Sequence, residues 1–222
     1  MALRSTGRLD QVDGAELGRL ARLPDTADEV RELAAIFGAG SEVLLQVVAN
    51  EKEVKTRDWR SKRVILFATH GLVPGELNGL GQPGLALTAP DVAGVEGDGL
   101  FTVEEILNLN LDADWVVLSA WNTGSGSVEG AEALSGLGRA FFYAATRALL
   151  ASNRPMETAS AKLITPGFQA PGCAGRTVQG RCPARDHAGP DAGEAGHSSG
   201  KATYSYTPPL VWAPFSLVGD GS

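Results

Sequence analysis

Two apolar runs of this sequence break off into residues that could do chemistry. Val64-Ile-Leu-Phe-Ala-Thr-His-Gly71 carries His70 near its end, and Trp115-Val-Val-Leu118 runs into Ser119-Ala-Trp-Asn-Thr-Gly124. A histidine can take a proton from a nucleophile and return it to a leaving group, which is the chemistry of acyl transfer. The hydroxyls nearest to hand are Ser119 and Thr123, which flank Trp121 and share its facing in an extended segment. Trp121 itself has one N–H donor and no lone pair able to attack a carbonyl. Cys173 and Cys182 lie far downstream in a Gly- and Pro-rich stretch, without a fixed approach to His70, and read as incidental thiols. With His187 and His197 they are spaced by nine, five and ten positions, unlike the paired short spacings of zinc sites, so no metal is expected.

Both runs must be strands to deliver these groups. Trp115 to Leu118 is apolar without alternation, which suits a strand buried on both faces of a parallel sheet. Ligands and catalytic groups in such sheets gather beyond the carboxyl ends of strands, which places Ser119 to Gly126 where chemistry is expected. Gly124, Gly126 and Gly130 suggest a second reading, a phosphate or dinucleotide loop. Their GxGxxxG spacing is one residue off the fingerprint, no acidic residue occurs from Phe141 to Ser152, and no GK[ST] follows. The loop reads better as a flexible rim with Glu129 as an exposed charge, and no cofactor is expected.

The remaining elements follow in chain order. Asp25 offers a cap for a helix with apolar Val30, Leu33, Ala34 and Phe37, stopped by Gly38. Val43 to Ala49 reads as a strand, and Asn50 with Glu53 as a capping box for a helix over Glu51 to Trp59. After His70, Leu72 to Gly84 is a Gly- and Pro-rich loop that could wall a groove. A brief strand at Leu85 to Thr88, a short helix capped by Thr102 with Glu105, and helices at Leu134 to Ala145 and Glu157 to Thr165 alternate with strands at Trp115 and at Arg147 to Ala151. That alternation predicts an α/β fold with a mostly parallel sheet covered on both faces. The 35 residues from Pro166 to Gly200 contain eight Gly, four Pro and six Ala, so no packed structure is expected there. Order is expected to return at Tyr204 and in Trp212-Ala-Pro-Phe-Ser-Leu-Val-Gly-Asp220.

Trp121 follows His70 by 51 positions (121 − 70), close to the roughly 50, histidine first, of caspases. With that spacing, His70-Gly71 and Leu118-Ser-Ala-Trp-Asn-Thr-Gly124 resemble the CHAT domain, a bacterial relative of caspases and separases often joined to tetratricopeptide repeats. The family usually reads Leu-Ser-Ala-Cys-Asn-Thr there, and this chain has tryptophan in place of the nucleophile. The resemblance implies a caspase-like α/β sheet with helices on both faces and a Cys-His endopeptidase site. His70 takes the general-base position and Trp121 that of the missing nucleophile. The main-chain amides of Gly71 and Trp121 take the oxyanion position, and Ser119, Asn122, Thr123 and Gly124 form the rim. Ala151-Ser-Asn-Arg-Pro155 departs from the family, which commonly has tryptophan near Arg154. No peptidase activity is expected of the chain as written. What remains open is a pseudoprotease that holds a peptide or protein partner, a regulator of an active paralogue, or a non-functional relic in which a reading-frame slip replaced the interval after Pro166.

The resemblance spans residues 25 to 222, with residues 1 to 24 expected as a weakly ordered N-terminal segment. Expected partners are a polypeptide substrate or protein, and a tetratricopeptide-repeat region, separate or fused. The 222 residues suffice for one domain. A formal charge of −7 and a pI near 5.0 argue against nucleic acid. No run approaches the roughly 18 apolar residues of a membrane span, and no secretion signal opens the chain, so a cytoplasmic protein is expected. Two cysteines give no disulfide framework.

Overall fold

Trp115, Val116, Val117 and Leu118 are 6%, 0%, 2% and 0% exposed, so the strand that carries them is covered on both faces. The computed structural model describes residues 12, 14–122, 128–152, 196–199, 202–205 and 215–219. The expected helix at 157–165 lies outside the described residues. Within them the chain runs α1 (Gly14–Leu17), α2 (Pro24–Phe37), a 3₁₀ turn (Gln46–Val48), α3 (Glu51–Thr56), β1 (Val64–Leu72), β2 (Gly84–Ala86) and α4 (Pro90–Ala93). It continues with β3 (Leu100–Thr102), α5 (Val103–Leu107), β4 (Ala113–Asn122), α6 (Val128–Tyr143), β5 (Thr146–Ser152), β6 (Gly196–Ser199), β7 (Ala202–Ser205) and β8 (Phe215–Gly219).

Six of the strands form one sheet in the order β3-β2-β1-β4-β5-β8. Its centre, β1-β4-β5, is parallel, while β2 and β8 run antiparallel to their neighbours. β3, antiparallel to β2, therefore points the same way as the central three, and the sheet is mostly parallel as expected of an α/β domain. β8 is the strand read from the C-terminal sequence, and it closes the sheet against β5.

Side-chain alternation along β1 and β4 sorts the core into two layers. Ile65, Phe67, Val116 and Leu118 pack with Val54 of α3, Ile106 of α5, and Leu137, Ala140 and Phe141 of α6. Trp115, Val117, Ala148 and Leu150 face the other way, against Leu33 of α2. At the amino ends of the central strands, buried Asp114 accepts from Arg63 Nε at 2.6 Å and from Arg147. One carboxylate thus ties the starts of β1, β4 and β5 together, which helps to hold the register on which the opposite ends depend.

Two sequence-read caps form as expected. The Asn50 side chain accepts from the Glu53 amide at 2.9 Å, and Thr102 with Glu105 closes a reciprocal capping box. Other expectations are corrected. α2 starts at Pro24 with Leu23 at its N-cap, because proline is suited to the first turn where its missing N–H costs nothing, and Asp25 sits inside that turn. α3 ends at Thr56 rather than Trp59. Val43 to Ala49 is an irregular segment with one 3₁₀ turn, and among the described residues no strand pairs with it. Packing also extends upstream of residue 25: Val12 and Leu17 are buried with Leu72 and Leu100. Within the interval from Pro166 to Gly200, Gly196–Ser199 forms a hairpin with Ala202–Ser205, in which His197 is paired to Tyr204.

Candidate functional site

β1 and β4 run side by side in parallel, and their register places His70 opposite Trp121, Gly71 opposite Asn122 and Ala68 opposite Ser119. The two segments singled out by sequence are therefore brought to adjacent strand ends. Partners in a parallel ladder share a face, so positions 70, 119 and 121 all belong to the face covered by α2. The Trp115 amide donates to the Arg63 carbonyl at 3.0 Å, which fixes the parity of the ladder. Odd-numbered members of both strands bond across the seam. The amides of Gly71 and Trp121 accordingly turn into the seam, at the level where the ladder ends.

His70 is 6% exposed, and its Nε2 lies 2.7 Å from the carbonyl oxygen of Ala21. A carbonyl only accepts, so Nε2 carries the proton in this contact. That tautomer leaves a lone pair on Nδ1, which is buried and has no partner among the described residues. The ring is thus oriented by a main-chain oxygen and keeps a free acceptor. Sequence reasoning missed Ala21 because the contributing atom belongs to the backbone and leaves no side-chain signature. Its neighbourhood was read as weakly ordered.

Ser119 is 3% exposed, with its hydroxyl oxygen buried and also without a partner among the described residues. It lies one strand over from His70 and two residues short of its level. Two orphaned polar atoms on one sheet face are uncommon, because each costs desolvation that no hydrogen bond returns. Beside His70 is a cavity of about 1030 Å³ whose lining also includes Leu33, Phe37, Leu66, Thr69 and Val117.

The loop after β1 is held in shape from several sides. Glu76 accepts from the Val73 amide at 2.7 Å, and Gly75, at φ 85, donates to the Leu80 carbonyl at 2.9 Å. A side chain would be strained at that φ, so glycine is required there. Glu16 of α1 accepts from the Asn78 amide at 2.9 Å, so the loop expected to wall a groove is fastened to the N-terminal segment.

Thr123, Gly124 and Gly126 lie outside the described residues, as do Arg154, Cys173, Cys182 and His187. Gly130 falls in the first turn of α6, so a helix follows the glycine-rich stretch. Among the described residues no three His, Cys, Asp or Glu side chains gather as metal ligands, and no helix is long and apolar enough to cross a membrane.

No curated protein matches the chain. The family model of the CHAT domain matches residues 10–220 and so takes in both strand ends, the Ala21 segment and β8. By that match the chain belongs to the CHAT domain family, whose members are caspase-like peptidases.

Proposed function

We propose that this chain is a caspase-like peptidase domain without its nucleophile, which holds a polypeptide at the His70 strand end and does not cleave it. The observation that carries the reading is the register of β1 and β4, in which the position opposite His70 is Trp121. In a Cys-His peptidase a thiolate at that position attacks the scissile carbonyl, while histidine takes the thiol proton and later gives it to the leaving amine. The free acceptor at His70 Nδ1 suits that base. Indole supplies neither a thiolate nor a lone pair for attack, so no acyl-enzyme forms. Ser119 shares the face, but a hydroxyl on a residue only 3% exposed is out of reach of a peptide carbonyl. What is left is recognition of an extended chain, with a polypeptide or a tetratricopeptide-repeat protein as the partner.

Peptidase assays on a mixed peptide library test this with the native chain, Trp121→Cys and Trp121→Cys/His70→Ala. The native chain is expected to show no turnover. Cysteine at 121 is expected to restore cleavage by at least about 10⁴-fold over background, in line with the scale on which nucleophiles matter, and loss of His70 to remove it. Cleavage by the native chain that disappears in His70→Ala would sink the reading.

A further inference from the structure

His70 and the loop that follows it are joined twice, once along the chain and once through the N-terminal segment. Along the chain, only Gly71 and Leu72 separate His70 from Val73, whose amide donates to Glu76 as the loop folds on itself. Through space, the main-chain and side-chain amides of Asn78 both donate to the Glu16 carboxylate, one to each oxygen. Such a two-point grip fixes orientation as well as distance, and the charged acceptor strengthens each bond.

A short, stiff link carries that position from Glu16 to Ala21. The amides of Gly18, Arg19 and Leu20 donate to the carbonyls of Gly14, Glu16 and Leu17 at 3.4, 3.0 and 3.1 Å, so the chain stays coiled from α1 to Leu20. Leu17 is buried in one apolar cluster with Val12, Leu72, Leu80 and Leu100, and Leu20 and Leu77 pack against it. Beyond the link, the Leu23 carbonyl accepts from the Thr26 hydroxyl at 2.7 Å as α2 begins. Ala21 and Arg22 are the two residues between these anchors, too little chain for the Ala21 carbonyl to drift while Leu20 and Leu23 stay in place. That carbonyl is the acceptor of His70 Nε2.

We infer that Glu16 is a positioning residue for His70, coupling the loop from Leu72 to Gly84 to the histidine ring by way of the Ala21 carbonyl. Loop and ring then move together. A shift of Asn78 draws Glu16 and Ala21 with it and changes the direction in which His70 presents Nδ1. The inference concerns the free chain and does not depend on whether the His70 site binds a polypeptide.

Proton NMR of the full chain tests it through the Nε2 proton of His70, which is visible at neutral pH while a hydrogen bond slows its exchange with water and is assigned by its loss in His70→Ala. Glu16→Ala is expected to hasten that exchange about tenfold, the scale of one net hydrogen bond. The Ile65 and Phe67 amides, in the β4 ladder, are expected to keep their protection and so report an intact sheet. Asn78→Ala, which removes one leg of the grip, is expected to fall between Glu16→Ala and the native chain. Glu16→Gln keeps a carbonyl oxygen with two lone pairs for the Asn78 amides and is expected to restore most of the native behaviour. A ring proton that exchanges equally fast in the native chain and Glu16→Ala would overturn the inference. So would a Glu16→Gln protein as fast as Glu16→Ala, because charge and not the grip would then act on His70. Loss of the Ile65 and Phe67 protection in step with the ring proton, in both Glu16→Ala and Asn78→Ala, would reduce Glu16 to a general stabiliser and overturn it too.

Discussion

Among the described residues, sixteen buried ones make one cluster on the side of the sheet covered by α5 and α6, with Phe67 against Phe101 and Phe141 at ring-centroid distances of 5.9 and 5.6 Å. Beneath α2, the corresponding cluster has five buried residues among those described, beside a cavity of about 1030 Å³. His70 and Ser119, the two residues with orphaned polar atoms near the site, both belong to the second face. The division of labour has a physical basis. Dense packing stabilises a fold but leaves no room for a ligand, whereas a recognition surface needs space and unspent hydrogen-bonding groups.

The largest expected effect tests that division directly. Phe141 is fully buried in the dense cluster, so Phe141→Ala should cost about 3–5 kcal/mol, much of a typical domain's stability. Leu33→Ala, on the cavity side, should cost about 2 kcal/mol, the low end for such truncations, because part of its surroundings is already empty. Chemical denaturation of both variants measures the difference. Equal losses would mean that the two faces are packed alike.

A smaller effect distinguishes the faces by pH. On the dense side, the Glu51 carboxylate accepts from the amides of Asp98 and Gly99 at 3.0 and 3.1 Å and from Lys55 at 2.8 Å. Burial alone would raise its pKa, but the Lys55 ammonium and the two amides outweigh burial and hold it below the usual 4.5. A carboxylate depressed in the folded state stabilises the fold above its unfolded pKa, and that contribution is lost as pH falls through the folded value. Asp98 has the opposite sign: burial first, then the charge of Glu51, pushes it up. The stability gap between the native chain and Glu51→Gln is therefore expected to be widest at neutral pH and to close below 4.5. A gap that is constant with pH would remove the charged form of Glu51 from the account.

How much of this could be read beforehand depended on which atoms carry each feature. His70 and Trp121 were legible because apolar runs announce strands and the polar break announces their ends, and the register joined them. The caps at Asn50 and Thr102 were legible because side-chain oxygens make them. The Ala21 contact was not, since any residue has a carbonyl. Val43 to Ala49 has the composition of a strand, but composition does not report whether a neighbour's edge is taken up. The start of α2 was misplaced by two residues, with Leu23 rather than Asp25 at the N-cap, because a proline first turn outranked the side-chain cap that Asp25 could have offered.

The smallest effect asks whether the cavity beneath α2 is real space. Ala34 is half-buried on α2 and lines that cavity, and the carbonyl it gives to the Gly38 amide is unaffected by its side chain. Leucine is nearly as good a helix former as alanine, so Ala34→Leu tests packing with little backbone change. If the space is open, the added carbons bury apolar surface and stability rises by about 1 kcal/mol, within the usual yield of cavity filling. In a face packed like that of α6, the same change would instead cost about 1–3 kcal/mol through overpacking. The sign of one denaturation midpoint shift therefore decides between the two. A loss would mean that the α2 face is closed, and with it would go the room beside His70 that peptide recognition requires.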